Sequence, residues 1–211
     1  KMKKIKIQYI YLISTILMWS ITPAIAKIAL KELTNYQLLL YTSIVGTLSL
    51  FIVNIFRNNI STIKSYQVKD YLIMFGMGGL GIFLYYILLY GGISIAPAGQ
   101  ANVVNYLWPL FVIVFSIFIL KEKFNYKTII AIFISFTGAW VTMTKGEILN
   151  LNNEYIAGYL LTFFGAICYG LFSVLGKKLH YEKFSSMLMY YVSATLLIIP
   201  TSLYMSGFKI P

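Results

Sequence analysis

The chain has 211 residues, 59% of them hydrophobic and only 11% charged, with 18 Tyr, 15 Phe, 3 Trp and a formal net charge of +11. A water-soluble globule carries about a quarter charged residues and under half apolar ones, so an ordinary cytosolic enzyme is excluded. Seventeen basic against six acidic residues would point to a nucleic-acid partner only through a solvated basic face, and a mean hydropathy of +0.79 leaves too little polar surface to build one.

Along the chain, seven apolar stretches are long enough to approach the roughly 30 Å of a bilayer core at about 1.5 Å per residue. They run over residues 7–26, 38–56, 71–93, 98–120, 128–143, 155–175 and 187–205, the fifth being short. The six acidic residues, Glu32, Asp70, Glu122, Glu147, Glu154 and Glu182, fall between spans or at their ends. The chain thus reads as an all-α integral membrane protein whose partner is the lipid bilayer.

The first span follows a basic start, as a signal peptide would. Its length, its Trp19 and the lack of a small-residue cleavage pattern before a soluble domain favour a retained helix. The third contains Gly76-Met77-Gly78-Gly79-Leu80-Gly81, which matches a dinucleotide fingerprint in form only, because that motif needs a strand before it. Inside a membrane helix, small residues let neighbouring backbones approach, and packing is the expected role. Asn59-Ile60-Ser61 fits a glycosylation acceptor, but on the side expected to be cytoplasmic. Cys168, the single cysteine, excludes a disulfide framework and a multi-thiolate metal site, and no metal or other cofactor is expected.

Lysine and arginine alternate unevenly between loops. Lys1, Lys3, Lys4, Lys6, Arg57, Lys64, Lys69, Lys121, Lys123, Lys127, Lys177, Lys178 and Lys183 share one side, against Lys27, Lys31, Lys145 and Lys209 on the other. The positive-inside rule then predicts a multi-pass protein of the plasma (inner) membrane with its amino terminus in the cytoplasm.

A shift of 150 residues aligns span six on span one and span seven on span two without a gap. It pairs Tyr9 with Tyr159, Lys27 with Lys177, Glu32 with Glu182, Leu38 with Leu188, Tyr41 with Tyr191 and Ser43 with Ser193, and sets Trp19 against Tyr169. A five-helix unit repeated once must enter the membrane the second time from the opposite side. That is a ten-helix inverted repeat, with residues 1–145 as the first copy and 146–211 as a second copy of which two helices are present, so the chain reads as a truncated piece of a ten-helix protein.

Pro109 stands near the middle of the fourth span. It has no N–H, so the carbonyl of Asn105 loses its helical partner and the helix bends. In hydrocarbon such a carbonyl must face protein, water or a ligand. The same turn carries the Asn105 amide, Tyr106 and Trp108, and Pro23 repeats the arrangement by freeing the carbonyl of Trp19. The expected substrate site therefore comprises Asn105, Trp108, Trp19, Tyr85, Tyr86, Tyr169 and Gln100, with helix kinks at Pro109 and Pro23. The bland alternative is that the kinks serve packing and the aromatics anchor the interface. No span carries paired acidic, His or metal-ligand residues, so catalysis is not expected. The absence of a carboxylate inside the spans argues against a proton relay. Lys27 and Lys177 lie at helix ends, free to snorkel, which leaves anionic sugar phosphates without a partner. An uncharged aromatic site suits a zwitterionic or aromatic metabolite.

Ala101-Asn102-Val103-Val104-Asn105-Tyr106-Leu107-Trp108-Pro109, then Lys121-Glu122-Lys123 and Gly138, resembles the drug/metabolite transporter superfamily, specifically its EamA-type members. Pro109, Glu122 and Gly138 match that family's proline, glutamate and glycine, and Asn-Tyr-Leu-Trp-Pro is similar to the branch of aromatic amino-acid exporters. The resemblance implies the ten-helix fold, alternating access and a metabolite substrate, an aromatic amino acid in that branch. The chain departs from the pattern in lacking helices eight to ten. A seven-helix receptor is the alternative, against which stand the cytoplasmic amino terminus and the absence of a lysine in the last span.

Overall fold

The computed structural model describes residues 2–123, 125–144 and 153–207. The expected boundary between residues 145 and 146, and Lys1, Lys145 and Lys209 of the charge count, lie outside these residues. The chain forms α1 (Met2–Ala29), α2 (Asn35–Phe56), a short α3 (Ile60–Ser65), α4 (Val68–Gly78), a π-helical turn (Gly79–Leu84), α5 (Tyr85–Ile95), α6 (Ala98–Asn105), α7 (Trp108–Ile119), α8 (Tyr126–Thr144), α9 (Ile156–Lys178) and α10 (Lys183–Ser206). Among the described residues there is no strand.

Among the described residues, six helical stretches are long and apolar enough to cross a membrane: Ile7–Ala29, Asn35–Phe56, Val68–Ile95, Ala98–Ile119, Ile156–Lys178 and Lys183–Ser206. The fifth expected span is α8, whose described apolar part, Tyr126–Gly138, is shorter. The continuous third and fourth spans of the sequence reading are each divided, by the π turn and by a turn at Tyr106 and Leu107.

The centre of the bundle is α2 along α10 and α5 along α9, with α6 and α7 also packed on α9. Ile87, Leu89, Tyr90 and Ile93 of α5 join Leu38, Leu39 and Leu40 of α2 and Ile198 of α10 in one core cluster, while Met74, Met77, Ile82, Phe172 and Tyr190 form a second. Helix α1 touches chiefly α5 and α6 and leaves Ile10, Tyr11, Met18 and Ile28 exposed. In water such a surface would drive association, whereas lipid tails cover it without penalty.

Two sets of tertiary contacts mark the ends of the bundle. At one end Arg57 lies 4.0 Å over the Phe184 ring, Tyr66 Oη and Ser185 Oγ are 2.7 Å apart, Tyr181 donates to Asp70 at 2.8 Å and Lys177 pairs with Glu122 at 2.6 Å. At the other, Thr34 Oγ1 reaches Ser206 at 2.8 Å, Gln37 Nε2 donates to the Ser206 carbonyl at 3.2 Å, and Lys27 meets the end of α5. The loops that the charge count assigns to one side thus share one end of the bundle.

Glycine explains how these helices come so close. A Cβ at Gly78 would strike the Tyr190 carbonyl and one at Gly81 the Phe172 ring. Gly92 of α5 lies against Thr162 and the Gly158 carbonyl of α9. Within the run Gly76 to Gly81, Gly78 and Gly81 therefore do packing work, and a π turn follows α4. That turn delivers Tyr85 and Tyr86 at the start of α5.

Helix α2 opens with a capping box in which Thr34 Oγ1 accepts from Gln37 N–H at 3.2 Å and Gln37 Oε1 accepts from Thr34 N–H at 3.1 Å. Glu182 caps α10, accepting from Ser185 N–H at 2.6 Å and from Ser185 Oγ at 2.8 Å. Burial raises its pKa, but the Ser185 hydrogen bonds outweigh that and hold the carboxyl below its ordinary 4.5. A depressed carboxylate contributes stability above its unfolded pKa and loses it as pH falls through the folded value. Thermal stability in detergent is therefore expected to drop on acidification below about pH 4.5, and Glu182→Ala is expected to cost about 1 kcal/mol at neutral pH and to blunt that drop.

Candidate functional site

Interruption of the fourth span builds the site. Tyr106 N–H donates to the Asn102 carbonyl at 3.0 Å and Leu107 N–H to Val104 at 3.1 Å, closing α6. Leu110 and Phe111 N–H both donate to the Leu107 carbonyl, at 3.0 and 3.3 Å, opening α7. Pro109, four residues after Asn105, has no N–H, so the helical ladder fails at Asn105. By contrast α1 runs unbroken past Pro23.

A cavity of about 180 Å³ lies beside this break. Trp19, Thr22, Pro23 and Ala26 of α1 line it, with Tyr85, Tyr86, Leu89, Tyr90 and Ile93 of α5, Asn102, Asn105, Tyr106 and Trp108 around the break, and Tyr169 of α9. Six of the seven side chains expected to bind substrate thus come together. Gln100 is not on this wall: its Oε1 accepts from Tyr159 Oη at 2.6 Å. Five residues separate it from Asn105, which turns it about 140° around α6.

The aromatic rings form a connected group. Tyr85 and Tyr86 centroids are 4.7 Å apart, Tyr85 and Tyr169 4.7 Å, Trp108 and Tyr169 5.2 Å at near right angles, and Tyr86 and Tyr90 5.3 Å. Edge-to-face and offset contacts at these distances stiffen the wall. Asn105, only 8% exposed, donates from Nδ2 to Tyr85 Oη at 3.3 Å, while its Oδ1 has no hydrogen-bond partner among the described residues. Among the described residues, no charged side chain lines the cavity. Trp19 is 53% exposed, so the peripheral α1 is the open side of the site.

Sequence reasoning missed Asn102, Tyr90 and Thr22, each within reach of the same argument. Asn102 precedes Asn105 by three residues, Tyr90 follows Tyr86 by four and Thr22 follows Trp19 by three, spacings that share a helix face.

Lys27 borders the site and is not free. Its Nζ donates to the carbonyls of Ile93 at 2.6 Å, Ser94 at 3.2 Å and Ala96 at 3.0 Å, a cation on the carbonyl end of α5. This clamp ties α1 to the helix that carries Tyr85 and Tyr86. Lys27→Met leaves those carbonyls without their cation and is expected to lower stability by about 2 kcal/mol, read as an earlier melt in detergent. Its repeat mate Lys177 makes an exposed ion pair with Glu122.

The EamA-like transporter family matches residues 6–144. The chain is 26% identical over 169 residues to the uncharacterized transporter YoaV of Bacillus subtilis, covering 79% of this chain and 56% of that one. It is 28% identical over 104 residues to the aromatic amino acid exporter YddG of Ancylobacter novellus, covering 49% of this chain and 36% of that one. A protein of known crystal structure shares the fold, with a TM-score of 0.73 at 20% identity over 93% of this chain and 67% of its own length. The chain spans about half the length, or less, of these curated relatives. The match over residues 6–144 takes in the broken helix and most of the cavity wall, and with it the chain belongs to the EamA-like transporter family of multi-pass membrane proteins, which are not enzymes.

Proposed function

We propose that the protein is a secondary transporter that moves a small metabolite, an aromatic amino acid, by alternating access across the plasma membrane. Asn105, Trp108, Trp19, Tyr85, Tyr86 and Tyr169 bind the substrate, Gln100 supports them from another face of α6, the break at Pro109 is the flexible point, and Pro23 lines the site within an unbroken α1. Residues 1–145 are the first repeat and 146–211 the start of an inverted second one, with the amino terminus in the cytoplasm.

The observation that carries this reading is an uncharged, ring-lined cavity of about 180 Å³ at an interrupted helix. Backbone left unpaired at such a break belongs where it lines a cavity, and broken helices mark binding sites in inverted-repeat transporters. The repeat supports the reading as well, since its partners Trp19 and Tyr169 face one another's cavity from α1 and α9. The name of the Ancylobacter relative supports the substrate class.

The test is uptake of radiolabelled phenylalanine into proteoliposomes holding the full-length gene product, preloaded with unlabelled amino acid. Saturable counterflow is expected, and uptake no greater than in empty liposomes for every aromatic amino acid refutes the proposal.

A further inference from the structure

We infer that Asn105 reads the substrate's amine, so that the site selects for an ammonium group and is indifferent to a carboxylate. The inference rests on the transport reading above and sharpens its substrate class.

Three observations converge on it. Asn105 Oδ1 is a strong acceptor, more than nine-tenths buried with its residue, and no donor reaches it. A buried amide oxygen left unpaired costs about 1–3 kcal/mol, so an amide that turns toward the bordering cavity to meet a donor there recovers that penalty in addition to forming its bond. The backbone carbonyl of the same residue has lost its helical donor to Pro109, which adds a second acceptor on the same residue. Around them stand Tyr85, Tyr86, Trp108 and Tyr169, whose ring faces are negative and attract a cation within about 6 Å of a centroid.

The positive side of the balance is empty. No Lys, Arg or His lines the cavity. Lys27, the nearest basic residue on the wall-forming stretch of α1, already directs its ammonium at three carbonyls. At the amino end of α7, Pro109 has no N–H and those of Leu110 and Phe111 are both bonded to Leu107, which leaves only the neutral N–H of Trp108 for an anion. A carboxylate would therefore find only neutral donors, while an ammonium finds an orphan amide oxygen inside a group of rings.

The experiment compares three competitors of phenylalanine uptake in proteoliposomes with the full-length gene product: phenylalanine itself, phenethylamine, which lacks the carboxylate, and 3-phenylpropionate, which lacks the amine. Phenethylamine is expected to compete within about threefold of phenylalanine, and 3-phenylpropionate at least about tenfold more weakly, the loss of one charge-assisted hydrogen bond. Asn105→Asp, isosteric and anionic, is expected to tighten phenethylamine competition, and Asn105→Leu to erase the difference between amine and acid. Equal competition by the acid, or unchanged discrimination in Asn105→Leu, overturns this inference while leaving the transport site in place. Failure of every aromatic compound to be taken up or to compete overturns the transport reading, and this inference with it.

Discussion

Uptake by the full-length gene product is expected to fall about a hundredfold when Trp108 is replaced by alanine, with expression and melting temperature little changed. The indole forms a wall of the cavity and meets the Tyr169 ring edge-to-face at 5.2 Å. A buried aromatic of this size offers 150–250 Å² of contact surface, and losing about 3 kcal/mol of substrate contact corresponds to roughly two orders of magnitude. Stability is largely spared because Trp108 is only part-buried, borders the cavity and is a member of neither core cluster. Asn105→Ala is expected to lower uptake about tenfold, leaving enough to follow competition, since it removes one charge-assisted hydrogen bond. Unchanged uptake in both variants would remove these residues from the site.

The second large effect falls on the fold itself. Gly92→Leu should prevent recovery of a monodisperse protein, because a Cβ there meets the Thr162 hydroxyl and stands 2.7 Å from the Gly158 carbonyl. A Cβ on Gly158 would in turn stand 2.9 Å from the Ala96 methyl. The crossing of α5 and α9 is thus backbone against backbone, and backbone cannot rotate away as a side chain can. Overpacking costs about 1–3 kcal/mol where a core can relax, and more is expected here because the helices must separate. Gly76→Ala provides the control. A Cβ at Gly76 meets nothing within 4 Å, so that variant should fold at least as well as the parent. A well-behaved Gly92→Leu would show that α5 and α9 do not pack so closely.

What the sequence made legible follows from which forces act locally. Hydrophobic length sets the spans, so α1, α2, α9 and α10 lie where hydropathy placed them. Proline chemistry is equally local, and the absent N–H of Pro109 marks the break between α6 and α7. The π turn at Gly79–Leu84 was not legible, because it depends on Tyr190 and Phe172 from distant helices filling the space that glycine leaves. Gln100 was misplaced because polarity alone nominated it, while its helical phase sets it opposite Asn105. Lys27 and Lys177 looked free at helix ends; the carbonyls of α5 and the carboxylate of Glu122 reach them only in the folded bundle. The unpaired Oδ1 of Asn105 could not be read from sequence either, since being unpaired is a property of every neighbour at once.

The most direct measurement of the central claim is protection of a cysteine placed in the cavity. In a Cys168→Ala background of the full-length gene product, Asn102→Cys is labelled by a small methanethiosulfonate reagent with and without phenylalanine, with Ser61→Cys at the distant, exposed end as reference. Phenylalanine is expected to slow labelling at position 102 in proportion to its occupancy and to leave position 61 unchanged. Labelling at 102 that is indifferent to saturating aromatic amino acids, in protein that still transports them, would place the substrate elsewhere and contradict the account.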